Sequence, residues 1–285
     1  MFLRRLGNKT KLAKKIIQTF PFHNVYIEPF FGAGGLFFNK PLVNHNFLND
    51  IDDDVFNLWV CFTKRFNELY EAIQSLPQSE SIFNYWLENK ETEPIQKAVR
   101  FIFLSNFSLY GVSNTFYKGT VNAKEVLISN FINAKYMLKN TNISNCDFRK
   151  LYSGISIKSE MNGDRNSFTV LSYNDPPYLG TNDNYSHSFT EQDSIDLFDI
   201  NCNLAKQYPA KYFFAISEFN HPFILEQAKE RNLNVIEIGE RRTMKNRNTE
   251  ILVCNYEVEL GLFDSLGGTC NKEKSLAFAQ RSSGN

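Results

Sequence analysis

The amino-acid sequence predicts an α/β fold, a mostly parallel sheet layered with helices and broken once by a helical insertion. Three observations carry this. Short apolar runs of strand length alternate with longer amphipathic segments. A glycine-rich turn follows the first such run, and the last two runs face each other across a short basic linker, as an antiparallel hairpin would.

The elements follow in order. "VYIEPF" (residues 25–30) reads as a buried strand that ends at the turn "FGAGG", after which "LFFNK" reads as an apolar helix start. "HNFLND" is a second strand ending at Asp50. From Asp54 to about Lys139 the spacing turns helical, as in "VFNLWVCFTKRFNELYEAI" and "EPIQKAVRFIFLSNF", with Asp52, Asp53 and Asp54 placed to cap and favour the first helix. "LYGVSNTFYKGTV" is a polar, aromatic loop or hairpin punctuated by glycine. Strand signals return in "SFTVLSY", "KYFFAIS", "LNVIEIG" and "TEILVCNYEVEL", with helical stretches between the first three. The segment after Asp264 lacks a periodic signal and is expected to be loosely ordered.

Composition narrows the class. The chain has 285 residues, 27 of them Phe, and enough apolar side chains for a large core. Five cysteines without a CxxC pair read as reduced thiols in a cytoplasmic protein, and the four histidines show no metal-ligand spacing. No run is apolar enough for a membrane span, and the amino terminus is too short in apolar residues for a signal peptide. Net charge is zero, so any affinity for phosphates must come from local clusters. Two exist: the first fifteen residues, and Arg241, Arg242, Lys245 and Arg247 in the linker of the final hairpin.

The chemistry-bearing residues gather at strand ends. Gly32, Gly34 and Gly35 allow backbone to approach a ligand, and Asp50 closes the next strand, where a carboxylate accepts from ribose hydroxyls. The dinucleotide pattern G-x-G-x-x-G fails at Phe37, which favours a nucleoside cofactor without pyrophosphate, S-adenosylmethionine being the common one. "DPPY", Asp175 to Tyr178, follows a strand and cannot continue it, because two prolines remove donors and stiffen the chain. A planar base could stack on Tyr178 while Asp175 and the Pro176 carbonyl accept both protons of its exocyclic amine. That draws the nitrogen out of amide-like planarity and frees its lone pair for an in-line attack on a methyl group. A base that reacts so must first leave its stack.

In this order the motifs resemble the Dam-type (D12 class) N6-adenine DNA methyltransferases over most of the chain. The matching stretches are "RRLGNKTKL", "YIEPFFGAGGLFF", "NDID", "NCDFRKL", "NDPPY" and "TEILVCNY". The resemblance implies a Rossmann-like S-adenosylmethionine-dependent sheet with a final antiparallel strand. It implies cofactor contacts from Arg5, Gly7, Lys9, Glu28, Phe30, Gly32, Gly34, Asp50, Asp147, Phe148 and Asp175. Asp175, Pro176, Pro177 and Tyr178 form the catalytic motif, and double-stranded DNA is the partner. Residues 1–54 and 140–264 would make the catalytic domain, 55–139 the target-recognition domain and 265–285 a tail. Asn106, Tyr110, Asn114 and Lys118 fall in the DNA-reading region, while Arg241, Arg242, Lys245 and Arg247 are assigned to backbone contact.

Three positions depart from the family pattern. Arg5 stands where an aromatic residue is usual, Asn8 replaces the second glycine of G-G-K, and the residues that read GATC are not matched, so that specificity is not implied. Ser188 and Phe189 are candidates for the mouth of the site. A cognate restriction endonuclease is a candidate partner, and a cytoplasmic monomer of bacterial or phage origin without a metal is expected. Two other readings stay open. One is a methyltransferase acting on RNA adenine or a protein glutamine, whose families more often carry Asn at the first motif position and lack such an insertion. The other is a catalytically inactive DNA-binding relative, which an intact "DPPY" and "FGAGG" argue against.

Overall fold

The computed structural model describes residue 3 and residues 8–108, 115–117, 123–157, 168–179, 189–242 and 247–258, with the side chains of 123 and 241–247 outside that set. The helices are α1 Ala13–Gln18, α2 Asp53–Lys64, α3 Phe66–Ser75, α4 Glu80–Glu88, α5 Pro94–Phe107, α6 Ala123–Leu138, α7 Phe148–Ser153, α8 Glu191–Gln207 and α9 Pro222–Glu230. The strands are β1 Val25–Glu28, β2 His45–Asn49, β3 Thr141–Ser144, β4 Val170–Asn174, β5 Tyr212–Phe219, β6 Asn234–Arg242 and β7 Arg247–Cys254. Among the described residues they form one sheet in the order β3-β2-β1-β4-β5-β7-β6. The first five strands pair parallel; β7 runs antiparallel to both β5 and β6. This is the mostly parallel sheet with a reversed final strand that the motifs imply.

Strand order reverses between β1 and β4, so connections leave these neighbours toward opposite halves of the sheet and a crevice opens at their carboxyl ends. The turn after β1 and the "DPPY" segment after β4 both leave the sheet at that end.

Both faces of the sheet are covered, and side chains alternate between them with the strand period of two. Tyr26, Leu171, Tyr173, Ala215, Leu252 and Cys254 enter one apolar cluster; Val25, Ile27, Val170, Phe214, Ile216, Ile251 and Val253 enter the other. The first cluster continues without a break into the insertion through Trp59, Phe62, Phe103 and Phe131. Helices α2 to α6 therefore share a core with the sheet. Phe62 and Phe131 lie 4.9 Å apart between centroids, Phe103 and Phe107 4.6 Å, as tilted aromatic pairs.

Local chemistry sets the ends. Asp52 caps α2 by accepting from the N–H groups of Asp54 and Val55, as expected. α8 begins with a reciprocal capping box between Thr190 and Asp193. The loop after α5 is pinned at its base by a bridge between Ser108 and Phe116 and by Tyr117 N–H donating to the Phe107 carbonyl at 2.8 Å.

Two expectations fail. No helix follows the glycine turn: Phe37–Asn39 makes one 3₁₀ turn and Lys40 is extended, because Pro41 disfavours a helical residue before it. β3 carries no expected strand signal; "TNIS" is a polar edge strand whose side chains lack an apolar alternation. Cys61, Cys146, Cys202 and Cys254 are free thiols, and among the described residues no helix is long and apolar enough to cross a membrane.

Candidate active site

The carboxyl rim of the sheet is built in two halves. Beyond β1, β2 and β3 the framework is backbone held by two side chains. Asp50 accepts from Gly32 N–H at 2.7 Å and from Asp52 N–H at 2.9 Å. Asn49, 1% exposed, donates to the carbonyls of Pro29 (3.0 Å) and Cys146 (2.8 Å). Its carbonyl accepts from Ser144 Oγ at 2.7 Å and Cys146 N–H at 3.2 Å. One amide thus ties together the loops that leave three strands. Asn49 spends itself on backbone, so of the "ND" pair only Asp50 remains to face a ligand.

The turn fits a nucleoside. Gly32 has φ +50°, a conformation that favours glycine, and a side chain built there would meet nothing within 4 Å, so the space beside Asp50 is open. Gly35 is required for the opposite reason: any Cβ would run into the Asn8 side chain and the Lys9 backbone. Asn8, in place of a glycine, caps the 3₁₀ turn Lys9–Lys11 by accepting from Thr10 N–H at 3.0 Å and donates to the Leu3 carbonyl at 2.9 Å. It fixes where Lys9 goes.

Phe30 and Phe148 come together 5.6 Å apart, with Phe189 5.8 Å from Phe30, as an aromatic group beside this opening. Asp147 caps α7 through Arg149 N–H. Arg149 lies 4.4 Å from the Phe148 ring and reaches Asp193 at 2.6 Å and Asp196 at 2.7 Å on α8, which holds the ring between two helices.

Beyond β4, β5 and β7 the rim is made of buried ionisable groups. Asp175 is partly exposed, and its Oδ1 accepts from Lys9 Nζ at 2.6 Å. Lys9 is 4% exposed, despite its basic surroundings in sequence; it also lies 3.1 Å from Glu250 Oε1 and 4.5 Å from the Tyr178 ring centroid. Glu250 Oε1 also accepts from Tyr178 OH at 2.8 Å and Ser217 Oγ at 3.1 Å. Phe219 covers the Tyr178 ring edge-on at 4.5 Å. Glu218 accepts from the N–H groups of Leu179 (3.2 Å) and Phe219 (2.8 Å), and burial raises its pKa to about 8. Pro176 is buried and Pro177 half-buried.

Glu28, at the end of β1, is 2% exposed and accepts from Tyr26 OH at 2.8 Å; burial raises it to about 8. Burial likewise lowers Lys40, 4.3 Å over the Tyr26 ring, to about 8.

Not every expected residue reaches a surface. Asn106 is 4% exposed and donates to the Ile102 carbonyl of its own helix at 3.0 Å, so its amide points into the insertion core. Arg5, Gly7, Tyr110, Asn114, Lys118, Ser188 and Lys245 lie outside the described residues, as do the side chains of Arg241, Arg242 and Arg247. Sequence reasoning passed over Glu250, Ser217 and Glu218. An acid inside a run otherwise bound for the core, as in "TEILVC" and "AISEF", is the signal that could have found them.

The chain is similar to known methyltransferases. A type II methyltransferase of Lactococcus lactis subsp. cremoris, M1.LlaDCHI, is 25% identical over 90% of this chain and 95% of its own length. The DNA adenine methylase of Escherichia coli K12 is 29% identical over 42% of this chain and 45% of its own length. A solved structure of a human methyltransferase 10 domain-containing protein aligns over 88% of this chain and 81% of that one, at 7% identity and a TM-score of 0.40. The family model for the D12 class N6 adenine-specific DNA methyltransferases matches residues 6–244, and the chain belongs to that family.

Proposed function

We propose that this adenine-specific DNA methyltransferase takes S-adenosylmethionine as its methyl donor and modifies an adenine swung out of double-stranded DNA. The observation that carries the reading is topological: Asp175 follows β4, and Asp50 bonds the open Gly32 turn that follows β1, so both stand at the carboxyl ends of paired strands where the strand order reverses. Gly32, Asp50, Phe30 and Phe148 would hold the donor's nucleoside. The donor supplies an electrophilic methyl group when bound. Asp175 and the Pro176 carbonyl would accept hydrogen bonds from the two N–H groups of the target N6 and aim its lone pair at that methyl group, and the proton released on transfer would pass through the Asp175 carboxylate to water. The rigid prolines hold these acceptors in place, so little reorganisation is left for the moment of reaction.

Residues 55–139, which hold α3 to α6 and all but the first two residues of α2, are assigned to target recognition, with the loop pinned at Ser108 and Phe116 as the part that reads bases. The hairpin end between Arg242 and Arg247 is assigned to phosphate contact, which makes binding salt-dependent. The type II designation of the Lactococcus relative supports a partner restriction endonuclease.

The test is to incubate the protein with unmethylated plasmid and S-adenosylmethionine and to map N6-methyladenine on both strands. Methylation in one recurring short sequence is expected and delivers the specificity. No DNA methylation by protein that binds the donor would overturn the reading.

A further inference from the structure

We infer that Glu250 is a positioning residue that holds Lys9 away from Asp175 when the target adenine enters. This rests on the reading of Asp175 and Tyr178 as the seat of that adenine. The Lys9 ammonium stands in the seat: it is 2.6 Å from the carboxylate oxygen that would accept an N6 proton and 4.5 Å from the centre of the ring on which the base would stack. The adenine can take these contacts only if Lys9 gives them up. A buried ammonium cannot leave one carboxylate without another to receive it.

Glu250 is that receiver. It is fully buried in β7, and the reversed direction of this strand brings it to the catalytic rim, paired with Phe219 at the end of β5. Its Oε1 already lies 3.1 Å from Lys9 Nζ and is fixed by Tyr178 OH and Ser217 Oγ. Its Oε2 is buried and has no hydrogen-bond partner. An unpaired carboxylate oxygen inside a protein is costly and marks a place that another state of the molecule fills. Lys9 moving from Asp175 toward Oε2 fills it, and the same carboxylate keeps Tyr178 in register through both states.

The experiment compares the full-length chain with Glu250→Gln, Lys9→Met and the double variant, in methyl transfer to plasmid DNA. Glu250→Gln removes the charged seat but preserves shape. It should lower kcat by about 10²-fold with donor affinity unchanged, because Lys9 then stays on Asp175. Adding Lys9→Met removes the obstructing ammonium, so the double variant should turn over faster than Glu250→Gln alone. A double variant no faster than the single, or a Glu250→Gln enzyme with parental kcat, overturns the proposal. Should Glu250→Gln fail to fold, the parent chain crystallised with its mapped target duplex and a non-reactive donor analogue gives the answer. Lys9 should sit on Glu250 and off Asp175; Lys9 still bonded to Asp175 overturns it. Asp175→Ala is the control for the underlying reading: turnover by that variant sinks the reading itself, whatever Glu250 does.

Discussion

The two halves of the carboxyl rim are held by different forces. The β1–β2–β3 half uses neutral and backbone groups: Asn49 bonds to Pro29, Ser144 and Cys146, and Asp50 straddles two N–H groups. The β4–β5–β7 half uses charges: Lys9 between Asp175 and Glu250, with Glu218 folded over the Leu179 and Phe219 amides. Amide-to-backbone bonds have one good arrangement and keep it across pH. Ion pairs in a low dielectric are strong but can exchange partners. A cofactor pocket can be preformed once and left alone, whereas a seat for an incoming base must be filled before the base arrives and emptied when it does. The neutral half suits the first task and the charged half the second.

The comparison breaks first at Asp175. Asp175→Ala should cut turnover by about 10³-fold while donor affinity stays near parental, because the neutral half is untouched. Methyl transfer to plasmid and calorimetric titration of S-adenosylmethionine together decide it; a matching loss of donor affinity would show that the halves are not separable. Asn49→Ala should do the opposite. It strands two backbone carbonyls and a Cys146 N–H in the interior and should cost about 3 kcal/mol of stability in urea unfolding. Donor binding should weaken with it, since the loops carrying Gly32 and Asp147 lose their common tie. Asn49→Asp should not restore stability, because a carboxylate cannot donate to those carbonyls. A stable Asn49→Ala chain would remove the structural role argued for this residue.

The two halves also differ in how far they can be read from sequence. The neutral half is legible because its chemistry is local: a glycine turn and an acid closing the next strand each mark a rim position. Its errors are local too. Pro41 cancels the helix that "LFFNK" suggests, and the polar "TNIS" hides β3. The charged half resists reading because its partners lie far apart in the chain. Lys9 and Asp175 are 166 positions apart, Tyr178 and Glu250 72, and only the reversal of β7 brings Glu250 to the rim. In sequence Lys9 is one cation among six, and only the family resemblance gives it a role, at the cofactor and not beside Asp175, while Glu250 stands in the closing strand with no role assigned. Asn106 misleads in the other direction: polar at the end of a helix, it turns back onto Ile102 and is buried.

The smallest expected effect is a pH slope that belongs to the charged half. Burial holds Glu218 at about 8 in the folded chain against 4.5 for an ordinary glutamate. Between those values the folded state keeps a proton that the unfolded state has lost, so stability falls as pH rises. The contribution is whole below about 4.5 and is lost as pH passes through about 8. Glu28 acts in the same direction over the same window, since burial also places it at about 8. Lys40, lowered to about 8, is protonated in both states until that value and adds no slope below it. Glu218→Gln removes one of the two sloping groups. The melting temperature of the variant, followed from pH 5 to pH 8, should decline less than that of the parent. Glutamine has a single carbonyl acceptor for the two amides of Leu179 and Phe219, so the variant should start lower at acid pH and converge on the parent as pH rises. Parallel curves would mean that Glu218 does not hold a proton in this window and that the slope comes from Glu28, on the other half of the rim.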